Sequence, residues 1–224
     1  MSGLPDKIDL ILRREQPEDY RAVEELTREA FWNQHGPGCD EHYLLHMMRT
    51  ADCFIPELSV VAEAEGTIAG HIAYTKAILL ADNGKSQDVI SFGPLSVLPR
   101  FQGRGVGGAL IEFTKSAAKE MGYQAILIYG DPQYYGRFGF AAAESFHIGT
   151  ADDLYAPALQ ALELVPGALP AAGGRFFEDA VYSVDEQAAL AFDKGFAPKE
   201  PRDDLPSQIR FCYLNGLSVP RKRS

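Results

Sequence analysis

The sequence predicts a mixed α/β (α+β) domain, a central sheet flanked by helices, followed by a C-terminal extension. Three observations predict it. Strand-like runs at 58–64, 71–79 and 89–99 succeed one another across turn-rich segments, as in an antiparallel meander. A glycine-rich loop at 102–108 then opens a helix whose apolar residues Val106, Leu110, Phe113, Ala117 and Met121 recur at helical spacing. Gly122 stops that helix, and AILIYG (125–130) reads as a short buried strand.

The elements follow in order. IDLILRR, near residues 8–14, is a first strand. Pro17 suits the first helical position, and Val23, Leu26 and Ala30 mark a helix over 18–31. NQHGPGCD breaks it, and DEHYLLHMMRT (40–50) is a second helix. LSVVAEA pairs with HIAYTKAIL across the turn EGTIAG (65–70), and ADNGKSQD is the next turn. Gly93 and Pro94 disturb the middle of the strand at 89–99, because proline cannot donate to a ladder. After the aromatic turn DPQYYGRFGF, residues 145–149 and 175–182 are candidate last strands. Residues 1–182 form the domain on this reading. Residues 183–224 are an extension with a Ser183–Glu186 capping box, a short helix and a basic end, PRKRS. Its large apolar residues, among them Phe192, Phe196, Ile209 and Phe211, predict that it docks on the domain or on a second subunit, so a homodimer is one expected arrangement.

Composition narrows the function classes. Of 224 residues 46% are apolar, enough for a substantial core, and the net charge is −10. Duplex nucleic acid needs a basic face, so no nucleic-acid partner is expected. Three cysteines, Cys39, Cys53 and Cys212, suit a reducing compartment better than a disulfide framework. With neither a secretory h-region nor an apolar run of membrane length, a cytoplasmic location without a membrane partner is expected. His42 and His46 stand four apart on a predicted helix, but Tyr43 occupies the place of the metalloprotease glutamate, so no metal is expected.

The stretch RFQGRGVGGAL (100–110) carries two overlapping phosphate-loop patterns. Gly103, Gly105 and Gly108 spell G-x-G-x-x-G, the dinucleotide fingerprint, and Asp131 closes the following strand. Against that reading, Pro99-Arg100-Phe101-Gln102 separates the loop from its strand. The loop also lies mid-chain after a meander, and no second βαβ half follows.

Gln102-Gly103-Arg104-Gly105-Val106-Gly107 resembles the pyrophosphate loop of the GNAT superfamily of N-acetyltransferases. Tyr135-Gly136-Arg137-Phe138-Gly139-Phe140 is similar to that family's Y-x-x-x-G-F element, and GDPQYYGRFGF resembles one branch of predicted bacterial acetyltransferases. The resemblance runs from about residue 8 to about 182. It implies the GNAT acyl-CoA N-acyltransferase fold, acetyl-CoA as co-substrate, and transfer of its acetyl group to a small-molecule or peptide amine. Gln102, Gly103, Arg104, Gly105, Val106, Gly107 and Gly108 would hold the pyrophosphate, and the backbone of Leu95, Ser96 and Val97 the pantetheine arm. Tyr135 would protonate the departing thiolate. The physics agrees: a helix start offers unpaired amides and partial positive charge, and glycines admit a phosphate to the backbone. Arg100 and Arg104 can add charge-assisted contacts.

The base is open. The strand before the loop, ISFGPLSV, carries no acid where many family members do. Glu63, His71, Asp131 and solvent water alone are the alternatives, and a non-catalytic acyl-CoA-sensing module on the same fold is the rival reading of the whole.

Overall fold

The computed structural model describes residues 8–222. Its central sheet runs β1-β2-β3-β4-β5-β9-β6, with β10 on β3 and β7 on β10. The first half comprises β1 (Ile11–Arg14), α1 (Tyr20–Phe31), α2 (Glu41–Met48), β2 (Val60–Ala64), β3 (Thr67–Ala81), β4 (Ser86–Val97), α3 (Val106–Glu120) and β5 (Ala125–Tyr129). Then come α4 (Pro132–Tyr135), β6 (Ala141–Ala142), β7 (Ile148–Gly149), β8 (Leu154–Tyr155), β9 (Leu159–Glu163), β10 (Gly174–Phe177), α5 (Glu186–Asp193), α6 (Pro206–Asn215) and β11 (Val219–Pro220).

Strands β1 to β4 form the expected meander, with a tighter first turn. Glu65 (φ 52°) and Gly66 (φ 73°) both adopt the left-handed conformation of a two-residue hairpin turn. Thr67–Gly70 therefore belongs to β3 rather than to a turn, and Gly70 is a close-approach site. A β-carbon there would stand 2.8 Å from Val106 Cγ1 of α3. In β4, Leu95 pairs with Ile72 and Phe92 with Tyr74, so Gly93-Pro94 oppose Ala73 alone. That two-against-one pairing is a β-bulge.

Side chains alternate across the sheet. On one face Ile72, Ile90, Phe92, Ile126 and Ile128 pack with Leu110 and Ile111 of α3. Each fully buried aliphatic side chain contributes about 1.5–3 kcal/mol. On the other face Val61 and Ala73 meet Val23 of α1 and Leu45 and Met48 of α2. Leu79, Val89, Leu127, Leu159 and Phe176 continue that face toward β9 and β10. The buried side of α3 is Val106, Leu110, Ile111, Thr114 and Ala118. Phe113 and Met121, expected to face the core, are each 43% exposed.

Three further expectations change. β9 pairs antiparallel along all of β5 although its sequence, LQALE, shows no two-residue alternation. The expected last strands shrink to β7 and β10, because residues 143–146 and 180–182 form 3₁₀ turns. The N-cap of α5 is Asp185, whose Oδ1 accepts from Ala188 N at 2.7 Å, rather than Ser183.

Beyond residue 182 the chain meets α1 and α2 repeatedly. Arg28 donates to Asp193 at 2.5 and 3.0 Å, and Trp32 Nε1 donates to the Glu200 carbonyl at 3.0 Å. Phe196 packs edge-on against the buried His42 ring at 4.9 Å. β11 pairs with β8. Arg221, read from sequence as part of a basic end, is buried and paired with Asp82 and Asp153. Arg223 and Ser224 of that end lie outside the described residues.

Candidate active site

The loop before α3 is built by its glycines. Pro99–Phe101 turns once, burying Phe101, and Gln102 Nε2 returns a bond to the Val97 carbonyl at 3.0 Å. Gly103 (φ 72°) and Gly105 (φ 89°) are left-handed, a conformation costly for other residues. The first α-helical bond runs from Ala109 N to the Gly105 carbonyl at 3.0 Å. The amides of Val106, Gly107 and Gly108 are thus free donors at a positive helix end. A β-carbon on Gly107 would come within 2.5 Å of the Tyr134 hydroxyl, and one on Gly108 within 3.1 Å of the Phe138 ring. Glycine here keeps the loop open beneath two aromatic rings.

Leu95, Val97, Gln102, Gly103, Gly105, Val106, Gly107, Gly108 and Tyr135 all line one cavity of about 680 Å³, together with Phe31 and His35. Tyr134, the neighbour of Tyr135 in sequence, lines it too. Two of the sequence-derived residues stand apart. The Ser96 side chain is buried on the opposite face, where its Oγ donates to Thr27 Oγ1 at 3.0 Å. Arg104 is paired with Glu65 at 3.1 Å.

Leu95 and Val97 of β4 and Tyr135, a few residues beyond β5, share the cavity wall. These parallel strands are in register at Ile90 and Ile126, and β4 then bulges at Gly93-Pro94. The ring of Tyr135 is tilted against Phe92 at 5.7 Å and edge-on to Phe140 at 5.8 Å. Burial pushes its hydroxyl well above the ordinary phenol range, so it holds its proton at neutral pH.

The sequence-derived base candidates are engaged elsewhere. Glu63 accepts from Arg13 at 2.5 and 2.8 Å. His71 is fully buried, its Nε2 3.0 Å from Ser59 Oγ and 3.5 Å from Glu15. Burial opposes the charge on Glu15, but its bonds to His71 and Arg49 win and hold its carboxyl down at about 2. The Ser59–His71–Glu15 cluster is sealed within the protein. Asp131 caps α4 through Gln133 N at 2.8 Å and takes two bonds from Arg210 of α6, at 2.9 and 3.1 Å. That Arg210 pairing lowers its pKa.

Sequence reasoning missed Gly130 and Glu178. Gly130 follows β5, and a β-carbon there would overlap the Tyr135 ring. Glu178 follows β10, and burial lifts its carboxyl to about 7. Among the described residues, no group of three or more histidine, cysteine or acidic side chains is placed to hold a metal ion. No helix among them is long and apolar enough to cross a membrane.

Residues 56–142 match the family model described as an acetyltransferase (GNAT) domain. The uncharacterized N-acetyltransferase YjhQ of Escherichia coli is 39% identical over 85 residues, which make up 38% of this chain and 46% of YjhQ. The uncharacterized N-acetyltransferase YhbS of the same organism is 28% identical over 134 residues, covering 60% of this chain and 75% of YhbS. The crystal structure of YhbS in complex with CoA superposes with a TM-score of 0.67 at 24% identity, over 79% of this chain and 93% of that one. A GNAT family acetyltransferase from Brucella melitensis, in complex with acetyl-CoA, gives 0.60 at 29% identity over 78% and 98%.

Proposed function

We propose, from the premise that this chain belongs to the GNAT acetyltransferase family, with the family domain at residues 56–142, that it transfers an acetyl group from acetyl-CoA to a primary amine within a ternary complex. The observation that carries the reading is the single cavity running from the free amides of the α3 start to the phenol of Tyr135.

The residues present suit acetyl-CoA. The loop glycines leave space that side chains would fill, next to amides whose dipoles favour a diphosphate. Leu95 and Val97, on the splayed edge of β4, offer backbone groups along the cavity for the amide-bearing pantetheine arm. Bound there, acetyl-CoA supplies an activated acyl thioester. The backbone beside the Gly93-Pro94 bulge polarises the acyl oxygen, as a preorganised donor does in acyl transfer. Tyr135, kept protonated by its surroundings, gives its proton to sulfur as the C–S bond breaks. The aromatic rings of Phe92, Tyr134 and Phe140 hold the phenol and exclude water around it.

Two measurements test this. Calorimetry should detect acetyl-CoA binding and no binding of NAD. Thiol release should follow addition of an amine from a panel of polyamines, aminoglycosides and peptide N-termini. A protein that binds acetyl-CoA and acetylates none of them would be an acyl-CoA sensor, which needs the loop but not Tyr135.

A further inference from the structure

Acetyl transfer requires the amine nitrogen to lose a proton, and the face of the sheet opposite α3 holds a group suited to take it. On β4, Ile90 and Phe92 join the α3-side core while Val89 faces the other way, so Ser91 faces away from α3 as well. Thr75 pairs with Ser91 in register and shares that face. On β10, Phe176 packs there beside Leu79, and Glu178 lies two residues further along the same face. Tyr129 closes β5 on this side, its ring 6.1 Å from that of Phe176. Tyr182 exchanges a hydrogen bond with Thr75 Oγ1 at 3.0 Å, and its Cε1 lies 3.7 Å from where a β-carbon on Gly93 would stand. Ser91, Tyr129, Glu178 and Tyr182 therefore ring the far side of the Gly93-Pro94 bulge, directly across the sheet from Tyr135. Ser91 is fully buried, and its Oγ has no partner of good hydrogen-bond geometry among the described residues. The groups it faces are the Glu178 carboxyl and the Tyr182 hydroxyl.

We infer that Glu178 is the proton acceptor for the amine, which enters from the face opposite α3 with Ser91 and Tyr182 as hydrogen-bonding neighbours. The inference rests on the acetyl-transfer reading above. As the N–C bond forms and the C–S bond breaks, the nitrogen proton passes to the Glu178 carboxylate. The electron pair of the C–S bond leaves on sulfur, which takes the Tyr135 proton. Solvent then removes the proton from Glu178 and returns one to Tyr135, so the sum is amine plus thioester giving amide plus thiol.

The electrostatics fit the role. Burial lifts the Glu178 carboxyl to about 7, and the facing Ser91 hydroxyl tempers the rise. A base poised near the working pH is the efficient one. Of the groups facing it, burial keeps the Tyr129 and Tyr182 phenols protonated, with Asp152 reinforcing the effect at Tyr129. Burial likewise raises the Cys53 thiol, next to Tyr182, to about 11. The cleft alongside carries Asp52, Asp88 and Asp179 against Lys76, an acidic excess that draws in an ammonium group, which gives its first proton to solvent before the neutral amine attacks.

The test uses the full chain and the isosteric variant Glu178→Gln. Difference infrared spectra of wild type against variant should contain a protonated-carboxyl band that titrates near pH 7. A Glu178 band titrating in the ordinary carboxylate range overturns the inference without any turnover measurement. With acetyl-CoA and the amine that wild type accepts, Glu178→Gln should lower kcat by about 100-fold or more and abolish the ascending limb near pH 7. Acetyl-CoA affinity by calorimetry should stay unchanged, which separates this loss from misfolding. An active wild type with an equally active Glu178→Gln overturns the base assignment and leaves acetyl transfer standing. A wild type that binds acetyl-CoA and acetylates no amine overturns both.

Discussion

The ring of Tyr135 lies directly on the α-carbon of Gly130, so closely that any β-carbon there would overlap Cδ2 and Cε2 of the ring. Gly130→Ala must therefore displace the phenol or the end of β5. Overpacking of this kind costs about 1–3 kcal/mol. We expect a lower melting temperature and a fall in kcat that approaches that of Tyr135→Phe. For Tyr135→Phe the expected loss is about 10–1000-fold in kcat, the contribution of one general acid, with little change in acetyl-CoA affinity. Wild-type kcat in Tyr135→Phe would remove Tyr135 as the proton donor.

At the other end of the cavity, Gly107→Glu sets a carboxylate where the helix start faces the loop. It adds negative charge in diphosphate space and drives side-chain atoms against the Tyr134 hydroxyl. Gly105→Glu adds the same charge, together with the strain of a left-handed non-glycine residue. Both should abolish acetyl-CoA binding by calorimetry in protein whose circular dichroism is unchanged. Wild-type affinity in either folded variant would detach this loop from the ligand.

These two sites were legible in the sequence because their signals are local. The glycines at 103, 105, 107 and 108 and the run YYGRFGF each lie within a few residues, and the turns they impose need no distant partner. Glu178 left no such trace. Its neighbours Ser91, Tyr129 and Tyr182 come from separate elements, assembled by the return of β10 to pair with β3, Phe177 against Ile78. Arg221 was misread for the same reason, since Asp82 and Asp153, which pair with it, are distant in sequence. β9 was missed because both its faces are covered and alternation gives no signal in such a strand. On α3, Phe113 falls outside the buried stripe because the step of three from Leu110 turns it back to the stripe's far edge, and Met121 is the C-cap, past the last helical residue Glu120.

The raised pKa of Glu178 has a stability consequence of definite sign. Its folded value of about 7 lies above its ordinary value of 4.5. Below pH 4.5 both folded and unfolded chains hold the proton and the site costs nothing. As pH rises, the unfolded chain releases its proton first, so stability falls from about 4.5 and the full cost is reached above 7. Glu178→Gln removes that cost. It should melt with wild type at pH 4 and be more stable at pH 8 by about 1–3 kcal/mol. Equal stability at both pH values would show that Glu178 ionises as freely in the folded protein as in water.

The segment after Tyr182 is tied to the domain by groups that water cannot easily replace. The Arg28 side chain is 4% exposed, and its charge is met by Asp193 and the Ala197 carbonyl. Removing one partner of a buried pair strands the other, a loss of about 3–5 kcal/mol. We expect Asp193→Ala in the full chain to approach that cost. Further along, Gln208 Nε2 donates to the Asn33 carbonyl at 2.9 Å, and Arg210 holds Asp131, one residue before the helix that carries Tyr134 and Tyr135. Truncation after Tyr182 frees Arg28 to reach solvent, so its charge is no longer stranded. It also strips Phe192 and Phe196 from His42, exposing apolar surface on α2. The shortened protein should lose several degrees of melting temperature or aggregate. Amides in α5 and α6 of the full chain should exchange with solvent far more slowly than those of an unstructured peptide. Free exchange over 183–215, with an unchanged melting temperature after truncation, would show that the segment acts as an independent tail.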